Sequence, residues 1–270
     1  MKLHGVLVGI NRYEDRRIGT LQYAARDAER FYAQLASSLA AEDLSLQLLT
    51  DERATRKAIL MAVGELLPRQ ARPEDAVLLY FAGHGSPETG EAPDRVSRYL
   101  IAHDTEYDAI FATGLDLERD LIRLVQRIAS RLVVVILDTC FSGRAGGRTF
   151  EGPALHNRRI GLRSLVLPKP RLCDLPLGEG RVILAACDDD EVAREDGRLG
   201  QGVFTYFLQQ ALSNTEKASC DEPAEATISL SRLYERVAEG VVAFTRGQQH
   251  PVLNGRLSLA RLPLLRTPEH

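Results

Sequence analysis

Two apolar runs, Ala76–Ala82 (AVLLYFA) and Leu132–Leu137 (LVVVIL), constrain this chain more than any other feature. Neither alternates with polar residues, and both are rich in aliphatic and β-branched side chains. Runs of this kind read as strands buried on both faces, and such strands belong to the interior of a parallel sheet sandwiched between helices. Leu3–Ile10, Leu44–Leu49 and Arg181–Ala186 read as further strands, and Arg256–Leu259 as a last edge strand. Helical spacing fills the gaps at Ala24–Leu39, Thr55–Leu67, Asp116–Ile128, Gly202–Leu212 and Leu230–Phe244. Leu60, Val63 and Leu67 share one face of the second helix, and Leu117, Leu121, Leu124 and Ile128 one face of the third. Thr55 is placed to cap the second helix. This alternation predicts an α/β fold with a mostly parallel central sheet of about six strands and helices on both faces.

Each of the two central runs leads into a reactive residue, His84 in Gly83-His84-Gly85 and Cys140 in Thr139-Cys140-Phe141. Open parallel sheets bind ligands beyond the carboxyl ends of their strands. If the two strands are neighbours, His84 and Cys140 meet at that rim. A lone buried cysteine is usually a small core residue, but a histidine and a cysteine at matching strand ends make a nucleophile and its base. A free thiol with a pKa near ~8.5 is only slightly ionised at neutral pH, so His84 would activate Cys140 and later protonate the leaving amine. The backbone N–H groups of Gly85 and Cys140 are the expected oxyanion donors. Asp138 lies two residues before Cys140, on the same strand face. A carboxylate there disfavours a thiolate, so its charge is expected to bind something.

The segments Tyr80–Gly85 and Asp138–Gly143 resemble the caspase-like cysteine peptidases (clan CD, peptidase family C14), in particular the metacaspase-type and bacterial members. Gly5–Asn11, Leu21–Ala28, Ala185–Asp189 and Gly202–Thr205 extend the resemblance from about Leu3 to Leu259. The chain carries T-C-F-S-G where animal caspases carry Q-A-C-x-G. The resemblance implies that residues 1–143 form a large-subunit-like part, 144–180 an inter-subunit linker and 181–270 a small-subunit-like part of one caspase-like domain. It also implies that Asp138 and Asp27 line an S1 pocket for Arg or Lys, with Asp188 and Asp189 adding to it; two carboxylates suit a guanidinium. Asp27 could instead simply favour the dipole of its helix. The Gly- and Pro-containing stretch Arg144–Gly180 breaks the alternation. It offers Arg144, Arg148, Arg158, Arg159, Arg163, Lys169 and Arg171 as processing sites, which would make the uncut chain a zymogen. Many metacaspases use Ca2+ through an acidic pair before the third helix; Asp116 and Glu118 match that pair only in part, and no cofactor or metal is required by this reading.

The remaining bounds are broad. A formal net charge of −3 gives no reason to expect nucleic acid or an anionic membrane as partner. No apolar run approaches the ~20 residues of a membrane span, and the first residues lack a signal-peptide pattern, so a cytoplasmic protein is expected. The four cysteines, Cys140, Cys173, Cys187 and Cys220, show no C-x-x-C pairing. The expected partners are peptide or protein substrates with Arg or Lys at P1, and an upstream activating protease or regulatory subunit, with the chain itself a monomer. Bacterial relatives suggest stress or defence signalling. The competing reading is a catalytically silent scaffold of the same fold, against which the presence of both His84 and Cys140 weighs.

Overall fold

A computed structural model gives the architecture; it describes residues 1–89, 96–141, 147–148, 172, 175–213, 228–255 and 261–262. Six strands form the central sheet: β1 (Leu3–Gly9), β2 (Leu44–Thr50), β3 (Ala76–Ala82), β4 (Leu132–Asp138), β5 (Arg181–Ala185) and β6 (Val252–Gly255). Their order is β6-β5-β4-β3-β1-β2. The first five run parallel, and β6 pairs antiparallel with β5 along one edge. The edge strand therefore lies earlier than Arg256–Leu259, which falls outside the described residues. Asn254 fixes this edge further, its Nδ2 donating to the carbonyls of Leu172 and Leu175.

Strands β1, β3, β4 and β5 are buried on both faces, and the period of two shows in how they divide. Val77, Leu79, Phe81, Val133, Val135 and Leu137 join one apolar cluster, whereas Leu78, Tyr80, Val134 and Ile136 join the other. Each such side chain contributes roughly 1.5–3 kcal/mol when fully buried. On the first face lie two helices, each with a π-helical turn. Helix α2 runs from Arg56–Met61 through Ala62–Leu66 to Leu67–Gln70, and α3 from Leu117–Ile122 to Arg123–Gln126. Thr55 does cap α2, its hydroxyl accepting the Ala58 amide at 3.2 Å. The other face is covered by α1 (Ala24–Ser38), α4 (Val203–Ser213) and α5 (Leu230–Thr245).

Three small antiparallel elements accompany the central sheet. Gly85–Thr89 pairs with Val96–Leu100, which in turn pairs with Leu115–Asp116. Glu195–Asp196 pairs with Gln201–Gly202 just before α4. Ile228–Ser229 pairs with Arg261–Leu262. Among the described residues no helix is long and apolar enough to cross a membrane.

Candidate active site at the carboxyl end of the sheet

Strands β3 and β4 are adjacent, with Ala82 opposite Asp138. Carrying that register two residues onward sets His84 beside Cys140. Both residues are buried, at 5% and 0% exposure. The strand order reverses between β1 and β3, the kind of position where open α/β sheets bind ligands.

His84 is held on several sides. Its backbone N–H donates to the Tyr13 hydroxyl at 2.8 Å, and its carbonyl accepts Ile101 N–H at 3.0 Å. The Tyr13 ring stacks on the imidazole with centroids 5.3 Å apart. His84 Nε2 lies 2.8 Å from the Gly19 carbonyl oxygen. A carbonyl can only accept, so Nε2 carries the hydrogen and Nδ1 carries the basic lone pair. Burial pushes the imidazole pKa down to about 4, against the upward pull of the Gly19 carbonyl, so the ring is neutral near pH 7. No acidic third member was nameable from the sequence; the group that orients the histidine is the backbone carbonyl of Gly19.

Cys140 Sγ donates to the Glu191 carbonyl at 2.6 Å. Transfer of that proton to His84 requires the thiol to leave the Glu191 oxygen.

The acidic residues meet around Arg148. Asp27 and Asp138 are both fully buried, and Arg148 is buried with them. Arg148 Nη1 pairs with Asp138 Oδ2 at 2.6 Å, and Nη2 pairs with Asp27 Oδ2 and, at 3.3 Å, with Glu195 Oε1. Asp27 Oδ2 also accepts the Gly202 amide at 2.9 Å, and Asp138 Oδ2 accepts the Thr205 hydroxyl at 2.5 Å. A side chain at 202 would fill this space, since its Cβ would lie 2.6 Å from Arg148 Nη2 and 2.8 Å from Asp138 Oδ2. Burial raises the Asp27 carboxyl to about 6, with Arg148 pulling it down and Asp138 pushing it up. Burial also opposes charge on Arg148, but Asp138 and Asp27 more than reverse this, so the guanidinium stays protonated.

The Arg148 backbone is held as closely as its side chain. Its carbonyl oxygen accepts from Gly85 N–H at 3.1 Å and from Cys140 N–H at 3.3 Å, and its own N–H donates to the Ala193 carbonyl at 2.9 Å. The two amides named as oxyanion donors thus converge on one carbonyl, that of a residue whose side chain fills the acidic pocket.

One expectation needs correction. Asp189 does not line this pocket. Its Oδ1 and Oδ2 accept from Arg98 Nε and Nη2 at 2.8 and 2.9 Å, and Oδ2 also accepts Leu172 N–H at 2.9 Å. The neighbouring Asp188 turns Oδ1 onto the Asp189 amide at 2.8 Å. The third carboxylate on Arg148 is Glu195, which also accepts the amides of Gln22 and Tyr23 at 2.9 and 3.0 Å. Asp116 and Glu118, the partial match to a calcium pair, have other work: Asp116 caps α3 by accepting Glu118 and Arg119 N–H, and Glu118 lies 3.6 Å from Arg98. Of the seven basic residues offered as processing sites, Arg148 is described. Arg144, Arg158, Arg159, Arg163, Lys169 and Arg171 lie outside the described residues.

The sequence profile of the caspase domain family, peptidase family C14, matches residues 3–260. No curated protein matches the chain. Among solved structures, the crystal structure of protein GSU0716 from Geobacter sulfurreducens superposes with a TM-score of 0.66 at 18% identity, covering 99% of this chain and 98% of that one. That similarity speaks for the fold, whereas the profile spans nearly the whole chain: the protein belongs to the caspase domain family of cysteine peptidases.

Proposed function

We propose that the protein is an endopeptidase that cuts after Arg or Lys through His84 and Cys140, and that its first substrate is its own Arg148–Thr149 bond. The observation that carries this reading is the pose of Arg148, whose guanidinium sits among Asp27, Asp138 and Glu195 while its carbonyl accepts from Gly85 and Cys140 N–H. Donors aimed at one carbonyl oxygen are what an acyl-transfer site needs, because negative charge develops on that oxygen. Cys140 Sγ would add to the Arg148 carbonyl carbon as His84 Nδ1 takes the thiol proton. His84 would then protonate the departing Thr149 nitrogen, and water would release the thioester.

The same pose argues for a zymogen. Arg148 lies eight residues after Cys140, so it competes for the pocket at an effective concentration on the order of millimolar. A separate substrate at micromolar concentration is largely excluded until the chain is cut and Arg148 leaves.

Intact-mass analysis of wild-type and Cys140→Ala protein, together with fluorogenic peptides ending in Arg, Lys or Asp, tests the proposal. The expected result is a wild-type chain cut between Arg148 and Thr149, at a first-order rate independent of protein concentration, with Arg and Lys peptides hydrolysed. Preference for Asp at P1, or activity retained in Cys140→Ala, would overturn it. A folded wild-type protein that cleaves neither itself nor any peptide would favour the scaffold reading.

A further inference from the structure

Cys187 is a buried thiol that the proposed mechanism does not use. It follows β5 as Cys140 follows β4, and these strands pair with Leu137 opposite Ala185. The Ala186 N–H to Leu137 carbonyl bond extends the ladder by one residue. The Cys187 Sγ contact to the Thr139 carbonyl, at 3.8 Å, extends it by another. Cys187 is therefore diagonal to Cys140 across neighbouring strands, with their Cα atoms about 6 Å apart for a spacing of about 4.8 Å and a rise of about 3.3 Å. That lies within the span a disulfide bridges.

The sulfurs face each other. Cys140 Sγ and Cys187 Sγ both contact the Glu191 carbonyl, at 2.6 and 3.6 Å, and the two thiols are hydrogen-bonded to one another. Both belong to the same apolar cluster. The turn that carries the shared carbonyl is pinned, since Glu191 N–H donates to Asp188 O at 3.0 Å and its carboxylate holds His250 Nδ1 at 2.6 Å. The hydrogen bond to Cys140, followed by burial, pushes the Cys187 thiol well above its ordinary range, so it stays protonated.

The geometry points to Cys187 as a resolving thiol: a hydroperoxide oxidises Cys140, and Cys187 then closes a Cys140–Cys187 disulfide that reversibly silences the enzyme. The inference rests on the reading of Cys140 as the reactive nucleophile. The Cys140 thiolate attacks one peroxide oxygen, the O–O bond breaks, and sulfur is oxidised by two electrons to a sulfenic acid as the other oxygen leaves as an alcohol or water. Cys187 sulfur then attacks the sulfenic sulfur, the S–O bond breaks, and the hydroxyl departs as water with the Cys187 proton. A thiol without such a partner advances instead to the irreversible sulfinic acid. In the uncut chain Cys140 is fully buried with Arg148 docked beside it, so the thiol opens to solutes when Arg148 leaves.

The test treats wild-type protein and an Arg148→Ala variant, whose pocket is emptied without any cut, with hydrogen peroxide, and maps the cysteines by non-reducing digestion and mass spectrometry. Both should yield a Cys140–Cys187 cross-linked peptide, and wild-type peptidase activity should fall at least tenfold and return with dithiothreitol. Cys187→Ser protein should give Cys140 sulfinic acid and lose activity irreversibly. Cys140 bridged to Cys173 or Cys220, or found as sulfinic acid in wild type while Cys187 is a free thiol, would overturn the inference. Mapping is independent of activity: a protein that cross-links under peroxide yet hydrolyses no peptide in its reduced form would refute the peptidase reading and leave the thiol pair intact.

Discussion

Asp138→Asn removes one negative charge from the pocket with almost no change in shape. In the structure Asp138 Oδ2 takes a 2.6 Å ion pair from Arg148 Nη1 and a 2.5 Å hydrogen bond from Thr205. The asparagine oxygen can keep the Thr205 bond, while the guanidinium retains Asp27 and Glu195. What is lost is one charge-assisted hydrogen bond in a fully buried setting, worth about 1.5–3 kcal/mol. At 1.36 kcal/mol per decade, kcat/KM for an Arg peptide should fall by about 10- to 200-fold. The assay compares kcat/KM for matched Arg and Gln peptides in wild-type and variant protein, with circular dichroism to show that both fold. The Arg-over-Gln ratio should shrink by about the same factor, because a neutral P1 side chain never used the charge. A folded Asp138→Asn enzyme with an unchanged Arg-over-Gln ratio would refute the reasoning, since it would mean that the carboxylate does not select the substrate.

Further outcomes follow from the same geometry. Arg148→Lys should still be cut at the 148–149 bond, roughly tenfold more slowly, because an ammonium cannot bridge two carboxylates as a fork does; Arg148→Ala should abolish that cut in intact-mass spectra. Gly85→Ala would bring a Cβ within 2.4 Å of the Cys140 carbonyl and 2.7 Å of Thr139 Oγ1. Displacing that oxyanion donor should lower kcat by about 10²–10³-fold, read in the peptide assay. The His84 pKa is depressed to about 4 in the fold against an ordinary value near ~6.5. Between those values the unfolded chain takes up a proton that the folded chain refuses, so this contribution is complete above about pH 6.5 and is lost as pH falls toward 4. Urea titrations should show wild type losing about 3 kcal/mol more than His84→Gln over that interval, and equal losses would contradict the burial of a neutral imidazole.

The sheet and the meeting of its two reactive strands were legible because continuous β-branched runs have few alternative conformations. Adjacency of β3 and β4 then follows from the common neighbour rule for sequential strands. Asp27 stood between two readings, pocket wall or helix-dipole partner, and its pairing with Arg148, 121 residues away, had no local signal. Glu195 carried no signal at all, since in Arg194-Glu195-Asp196 it looks like any solvated charge run. Asp189 was misplaced because its partner, Arg98, lies on a small hairpin that periodicity did not announce. The edge strand moved because Val252–Gly255 is short and only partly buried, so hydropathy distinguishes it poorly from its surroundings.

Orienting the proposed catalytic imidazole with the Gly19 carbonyl rather than a carboxylate has its own consequence. A carboxylate brings a full charge that favours the imidazolium and makes histidine a stronger base, which a serine hydroxyl demands. A peptide oxygen brings only a partial dipole, does not titrate anywhere in the working pH range, and leaves the ring a weak base. That suffices for a thiol, whose proton is far easier to remove than an alcohol's. The orienting group also belongs to the main chain, so no side-chain replacement deletes it and alanine scanning passes over it. What can be altered is the path of the loop: Asp51 accepts the amides of Asn11 and Arg12, and Asn11 carries Leu21 N–H on its carbonyl. The orientation of the proposed base is therefore set by loop geometry, through residues set apart from His84 and Cys140.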